Sequence, residues 1–113
     1  MALPPFNPVS ADVCVAPQID AAAVADLAAA GFKSIINNRP DFEGGAGQPT
    51  AAEIGAAAQA AGLAYAHLPV APSVQTPQEI AQFAELLRTL PRPIFAFCRS
   101  GARSGKLFAA AQG

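Results

Sequence analysis

The segment of this chain best equipped for chemistry is Phe97-Cys98-Arg99-Ser100-Gly101-Ala102-Arg103-Ser104. The apolar run Ile94 to Phe97 leads into it, and a helical pattern from about Ser104 to Ala111 leads out. A chain that leaves a buried strand and enters a helix must turn sharply. Gly101 permits the left-handed or close-approach backbone that such a turn needs. Successive amide N–H groups then converge into a nest for an anion, and the helix N-terminus adds its dipole and unpaired donors. The same field favours thiolate over thiol: helix N-termini and nearby cations lower a cysteine pKa to roughly 3.5–7.5. Cys98 therefore reads as a thiolate nucleophile at the base of the nest. Arg103 is the natural bidentate partner of a tetrahedral oxyanion. Ser104 can donate to the sulfur or to a leaving group. Arg99, Ser100, Gly101 and Ala102 complete the anion-binding and substrate-binding loop. The plainer alternative is a small buried hydrophobe and a solvated arginine, which leaves the strand, glycine and helix around them unconnected.

The elements that must position this loop follow from local signals. Three prolines in residues 1–8 predict an extended arm. Val9 to Ala16, with Val13 and Val15, predicts a short strand. Asp20 can cap a helix over Ala21 to Ala30 that Gly31 ends. Lys33 to Asn37 holds Ile35-Ile36, a short buried strand, and Asn38 to Pro49 is a polar, glycine-rich loop. Thr50 and Glu53 form a capping box opening a helix to about Ala61, stopped by Gly62. Leu63 to Leu68 is another strand, followed by a proline-punctuated loop, Pro69 to Thr76. Thr76-Pro77-Gln78-Glu79 gives an N-cap, a first-position proline and a third-position acid. That helix runs to about Leu90, with Ile80, Phe83, Ala84 and Leu87 on one face, and Pro91 and Pro93 bracket its end. Helices alternating with short apolar strands predict an α/β fold: a central, mostly parallel, four- to five-stranded sheet with helices on both faces. Ligands of such sheets bind at the carboxyl ends of the strands. That rule gathers the Asn38–Pro49, Pro69–Thr76 and Cys98–Arg103 loops on one edge.

The 113 residues suffice for one domain spanning 1–113. Composition is 52% hydrophobic and 13% charged, with net charge −1. No basic surplus points to nucleic acid, and no apolar run approaches the ~20 residues of a membrane helix. The first residues lack the features of a secretory signal, so the expected location is cytoplasmic. Cys14 and Cys98 then read as free thiols, with Cys14 a buried residue or, less simply, a resolving thiol. One histidine and two distant cysteines do not build a metal site, and no cofactor is implied. In the second loop, Arg39 and Asp41 either pair with each other or lend Asp41 to the cysteine loop. Glu43 and Gln48, set among glycines, are candidates for touching substrate, with a solvated loop the plainer reading. His67 stands at a strand end, where a structural hydrogen bond is the plainer role and catalysis the sharper one. Arg99 and Lys106 either add positive potential at the pocket mouth, suited to anionic substrates, or belong to a solvated face.

Several segments together carry a family resemblance: Gln18, Gly31-Phe32-Lys33-Ser34-Ile35-Ile36-Asn37-Asn38-Arg39-Pro40-Asp41, Ala61-Gly62-Leu63-Ala64-Tyr65, Leu68-Pro69-Val70 and the Cys98 loop. Over nearly its whole length the chain resembles the phosphatase-like domain of beta-lactamase-hydrolase-like proteins, a family also described as sulfur transferases. The resemblance implies a protein-tyrosine-phosphatase-like fold and a cysteine enzyme handling phosphoryl or sulfane groups. It also implies a functional link to a persulfide dioxygenase, to which such domains occur fused. Two features weigh the chemistries. Tyrosine phosphatases place five residues between Cys and Arg; here four, Arg99 to Ala102, separate Cys98 from Arg103, the spacing of rhodaneses. Phosphate-ester cleavage uses a proton donor, and Leu68 to Thr76 holds no Asp or Glu. Asp41 and His67 are the nearest substitutes. Both features favour sulfane transfer from thiosulfate or a persulfide, through a Cys98 persulfide, to a thiol or cyanide. The alternatives are a phosphatase acting through phosphocysteine and an inactive phosphate-binding or partner-docking module.

Overall fold

The computed structural model describes residues 3–112. Along the chain run β1 (Asn7–Ser10), β2 (Val13–Ala16), α1 (Ala21–Ala29), β3 (Ser34–Asn37), α2 (Ala51–Ala60), β4 (Ala64–His67), α3 (Pro77–Thr89), β5 (Ile94–Phe97) and α4 (Ala102–Gln112). Three helices start where their side chains dictate. Asp20 accepts from the Ala23 N–H, and Thr50 with Glu53 and Thr76 with Glu79 form reciprocal capping boxes. These bonds satisfy donors that a helix N-terminus otherwise leaves open.

The five strands form one sheet in the order β1-β2-β5-β3-β4. β2, β5, β3 and β4 run parallel, and β1 is antiparallel to β2. β3 and β5 are buried at all four positions, as interior strands covered on both faces must be. Alternation along each strand splits the core. Ile35, Phe95 and Phe97 join Val24, Leu27 and Ile54 on the α1–α2 face. Ile36, Ile94 and Ala96 join Phe83, Leu87 and Leu107 on the α3–α4 face. Burying each of these side chains other than Ala96 contributes about 1.5–3 kcal/mol. Among the described residues no helix is long and apolar enough to cross a membrane.

Three expectations change. The segment Val9 to Ala16 is not one strand but most of a hairpin. Its turn is fixed by Ser10, whose hydroxyl donates to Asp12 Oδ1 at 3.2 Å and accepts from the Asp12 N–H at 3.4 Å. The arm over 1–8 is only partly an arm. Met1 and Ala2 lie outside the described residues, but Asn7 and Pro8 belong to β1. There Pro8 sits on an edge strand, which can do without its N–H. Phe6 packs edge-on against Phe32 and Phe95, with centroids 5.8 and 6.1 Å away. Finally, α4 begins at Ala102, not Ser104, so Arg103 and Ser104 occupy its first turn and are rigidly aimed.

Candidate active site

Cys98 follows the carboxyl end of central strand β5. Its N–H donates to the Ala16 carbonyl at the end of β2 (3.2 Å), and the neighbouring Phe97 carbonyl accepts from Asn38 N–H beyond β3 (2.8 Å). The chain turns at Gly101, φ +95°. The Gly101 N–H donates to Cys98 Sγ at 3.1 Å, while its carbonyl accepts from Gly105 N–H at 2.9 Å and opens α4. Burial pushes the Cys98 thiol up. Against it act the N–H groups of Ser104, Ser100 and Gly101 and the Ser104 hydroxyl, and together they bring the thiol below its ordinary value. A nest of donors around a buried sulfur thus stabilises the thiolate. Cys98 is fully buried. At Cys14, half-buried on β2, burial alone raises the thiol.

Ser104 also donates to Asn38 Oδ1 at 2.8 Å, and Asn38 Nδ2 donates to the Leu68 carbonyl at 3.0 Å. A serine has one hydroxyl proton, so Ser104 serves either Asn38 or the sulfur at a given moment.

Arg103 is nearly buried, 8% exposed. Its Nη1 donates to Glu43 Oε2 and to the Val70 carbonyl, both at 3.0 Å, and its Nη2 donates to Glu43 Oε1 at 2.9 Å. A guanidinium has five N–H groups. Three are committed here; Nε–H and the second Nη2–H have no acceptor among the described residues. Those two form a side-on fork of the kind that grips a carboxylate or phosphate. Glu43 Oε1 accepts also from Arg39 Nε at 2.9 Å, and Arg39 Nη1 donates to Gln18 Oε1 at 3.2 Å. The Arg103 bonds, and behind them Arg39, hold the Glu43 carboxyl below the usual carboxylate range despite its partial burial.

The second loop is built around this ion triad. Gln48 ties Gly44 N–H to the Pro40 carbonyl, at 2.7 and 2.9 Å. A side chain at Gly44 would meet Arg39 Nη2 at 2.7 Å, so glycine there lets the guanidinium lie across the loop. Between these braces Phe42 adopts φ +64° with its side chain 68% exposed. For a side chain of this size the left-handed region costs about 1–2 kcal/mol.

The structure thus redistributes the expected roles. Arg39 pairs with Glu43, not Asp41. Asp41 neither pairs with Arg39 nor bonds the cysteine loop; its Oδ1 accepts from Ala51 N–H at 2.7 Å and ties the loop to the start of α2. His67 Nε2 lies 3.0 Å from the Arg39 carbonyl, an acceptor only, so this nitrogen carries the proton and braces the loop. Arg99 and Ser100 are exposed. The Arg99 carbonyl accepts from Gln18 N–H at 3.3 Å, and Ser100 Oγ accepts from Ala102 N–H at 3.3 Å. Glu43 as the partner of Arg103, and Asn38 as the partner of Ser104, emerge only in the fold. The one sequence signal for Glu43 was its place four residues after Arg39, in a loop with few other acids.

Glu43→Gln removes one charge from the triad while keeping its shape. Its melting temperature should fall by several degrees at neutral pH. A depressed carboxyl stabilises the fold above its unfolded-state pKa, and that contribution is lost as pH falls through the folded-state value. The wild-type advantage should therefore shrink on acidification below the ordinary carboxylate range. Thermal melts across that range check it; a gap independent of pH would contradict the ion-pair role.

Comparison with known proteins places this geometry. The family model for the beta-lactamase hydrolase-like protein, phosphatase-like domain, matches residues 5–113. The beta-lactamase hydrolase-like protein of Agrobacterium fabrum is 42% identical over 82 residues, 73% of this chain and 19% of that protein. The chain thus spans about a fifth of the length of the curated relatives it matches. Among solved structures, a candidate phosphatase from Neisseria meningitidis Z2491 superposes with a TM-score of 0.83 at 30% identity, covering 90% of this chain and 72% of that one. The core catalytic domain of the PP-IP phosphatase SIW14 from S. cerevisiae shares the fold at a TM-score of 0.75 and 18% identity, over 95% and 64% of the two chains. The fold is protein-tyrosine-phosphatase-like. The match runs from residue 5 to residue 113, and the chain belongs to the family of beta-lactamase hydrolase-like protein phosphatase-like domains.

Proposed function

We propose that this chain is a cysteine-dependent phosphatase. The carrying observation is a buried sulfur, faced by the N–H groups of Ser100, Gly101 and Ser104, with an Arg103 fork left open in the first turn of the helix that follows it. That set of donors suits the non-bridging oxygens of a phosphoryl group. The Cys98 thiolate attacks phosphorus, the P–O bond to the leaving group breaks, and the leaving oxygen takes the bonding pair. Arg103 and the loop N–H groups bind the charge on the phosphoryl oxygens as the group transfers. Water then attacks the phosphocysteine, loses its proton to solvent, and releases phosphate and thiolate. The family and its structural neighbours bear phosphatase names, which supports this chemistry over the sulfur transfer that the loop spacing and the lack of an acid in Leu68 to Thr76 favour.

A second reading keeps a specific observation behind it. The four-residue gap between Cys98 and Arg103 draws a smaller ring of amides than a five-residue gap, and a smaller ring suits a persulfide sulfur. Thiosulfate would leave its outer sulfur on Cys98 and depart as sulfite; a thiol or cyanide would then take that sulfur. A link to persulfide oxidation belongs to this reading. Phosphate release from p-nitrophenyl phosphate and thiocyanate formation from thiosulfate and cyanide, assayed side by side, separate the two. The phosphatase reading expects the first activity in the wild type and its loss in Cys98→Ser. Thiocyanate formation alone would replace it with sulfur transfer.

A further inference from the structure

Asn38 is fully buried, and all four of its polar groups are engaged. Its N–H donates to the Phe97 carbonyl at 2.8 Å, and its own carbonyl accepts from Val70 N–H at 3.0 Å. Its Nδ2 donates to the Leu68 carbonyl at 3.0 Å, and its Oδ1 accepts from the Ser104 hydroxyl at 2.8 Å. A carbonyl can only accept, so Leu68 fixes which end of the carboxamide carries the N–H groups. The amide oxygen must then face Ser104, and Ser104 must be the donor.

Ser104 is also fully buried, in the first turn of α4. Its hydroxyl stands between two acceptors, Asn38 Oδ1 and the Cys98 sulfur. Which of them is stronger depends on the state of the sulfur. A thiol, or any uncharged sulfur, accepts only weakly, and the amide oxygen wins. A thiolate is charged, and charge-assisted bonds are roughly twice as strong as neutral ones, so the hydroxyl turns to it. The charged and titratable groups around the loop leave this choice alone. Arg103 on α4 and Arg39 in the second loop bond Glu43, His67 on β4 bonds the Arg39 carbonyl, and Asp41 bonds the Ala51 N–H. Arg99 and Lys106 are exposed, and Cys14 on β2 is not among the groups acting on the Cys98 thiol. Among the described residues none of these side chains bonds Asn38 or Ser104.

We propose that Asn38 is a positioning residue: it holds the Ser104 hydroxyl proton while the Cys98 sulfur is uncharged and yields it when the sulfur is a thiolate. An uncharged sulfur is either the thiol or the sulfur bonded to a transferred group. The donor therefore follows the charge through the cycle, whichever of the two chemistries above Cys98 performs, and the buried hydroxyl always has an acceptor.

Thiolate absorbance against pH, taken as the difference from the same protein carrying Cys98→Ser, reads the Cys98 thiol alone. Asn38→Leu is similar in size and removes the competing acceptor. Its thiolate fraction below the midpoint should rise about fivefold, the worth of one hydrogen bond. An asparagine that merely braced the loop would give the opposite: its loss would let the thiol drift up toward its ordinary value. In a Ser104→Ala background the effect of Asn38→Leu should vanish. A second measurement leaves position 38 intact. The side-chain amide resonances of Asn38, followed by NMR, should shift with the ionisation of Cys98 in the wild type and stay still in Ser104→Ala. The proposal is overturned by a thiolate fraction unchanged or lowered in Asn38→Leu, or by an effect that survives Ser104→Ala. Amide resonances that ignore the thiol, or follow it without Ser104, overturn it equally.

Discussion

Arg103→Lys should lower kcat/KM on p-nitrophenyl phosphate by about 10³-fold, roughly 4 kcal/mol of transition-state stabilisation. A lysine keeps the charge and loses the planar fork. The two N–H groups that face no protein acceptor disappear together, and removal of even one preorganised oxyanion donor typically costs about 10²–10³ in rate. The ammonium also cannot reach both Glu43 oxygens and the Val70 carbonyl in the geometry that Arg103 uses. The substitution should therefore loosen the second loop as well as the first, and the melting temperature should fall modestly. Steady-state kinetics with the purified variant check this. A loss of less than tenfold would mean that Arg103 holds the fold and not the reacting group.

Gly101→Ala should destabilise the protein and disable Cys98 at once. Its φ of +95° is strained for any residue with a Cβ, at about 1–2 kcal/mol. The added methyl would lie 3.2 Å from the Ala16 carbonyl carbon and 3.4 Å from its oxygen. These are backbone atoms of a buried strand and move little, so overpacking adds roughly 1–3 kcal/mol. A melting temperature lower by on the order of 10 °C follows for a domain of this size. Ala16 also accepts the Cys98 N–H, and Gly101 N–H faces the sulfur. Any shift that relieves the clash disturbs the thiolate's surroundings, so the thiol pKa should rise toward its ordinary value. Calorimetry and the pH dependence of thiol alkylation read the two effects separately. An unchanged melting temperature would contradict the close approach.

What the sequence made legible was local. The strand, Cys98, Gly101 and the helix after it are contiguous, so their chemistry could be read from eight residues. The capping boxes at Thr50 and Thr76 were readable because each is complete within four residues. The rest depends on distant partners. Glu43 meets Arg103 across 60 positions and Ser104 meets Asn38 across 66, contacts that only the parallel order β5-β3-β4 creates. Arg39 and Asp41 looked like a pair because they are neighbours in the chain, but the loop turns between them and sends one inward and the other to α2. The hairpin escaped notice because Ser10-Ala11-Asp12 lacks the glycine or asparagine of the common tight turns. Serine and aspartate instead hydrogen-bond across the turn, and Asp12 is tied to Arg92 and to the Ile94 N–H.

The central claim is that Cys98 carries a phosphoryl group during turnover. Rapid acid quench of the enzyme in the act of hydrolysing p-nitrophenyl phosphate, followed by intact mass spectrometry, tests it directly. Wild-type protein should show the mass of one added phosphoryl group, mapped to Cys98, and Cys98→Ser should show none. Turnover without any adduct on Cys98, or a sulfur adduct from thiosulfate where phosphate esters leave none, would contradict it.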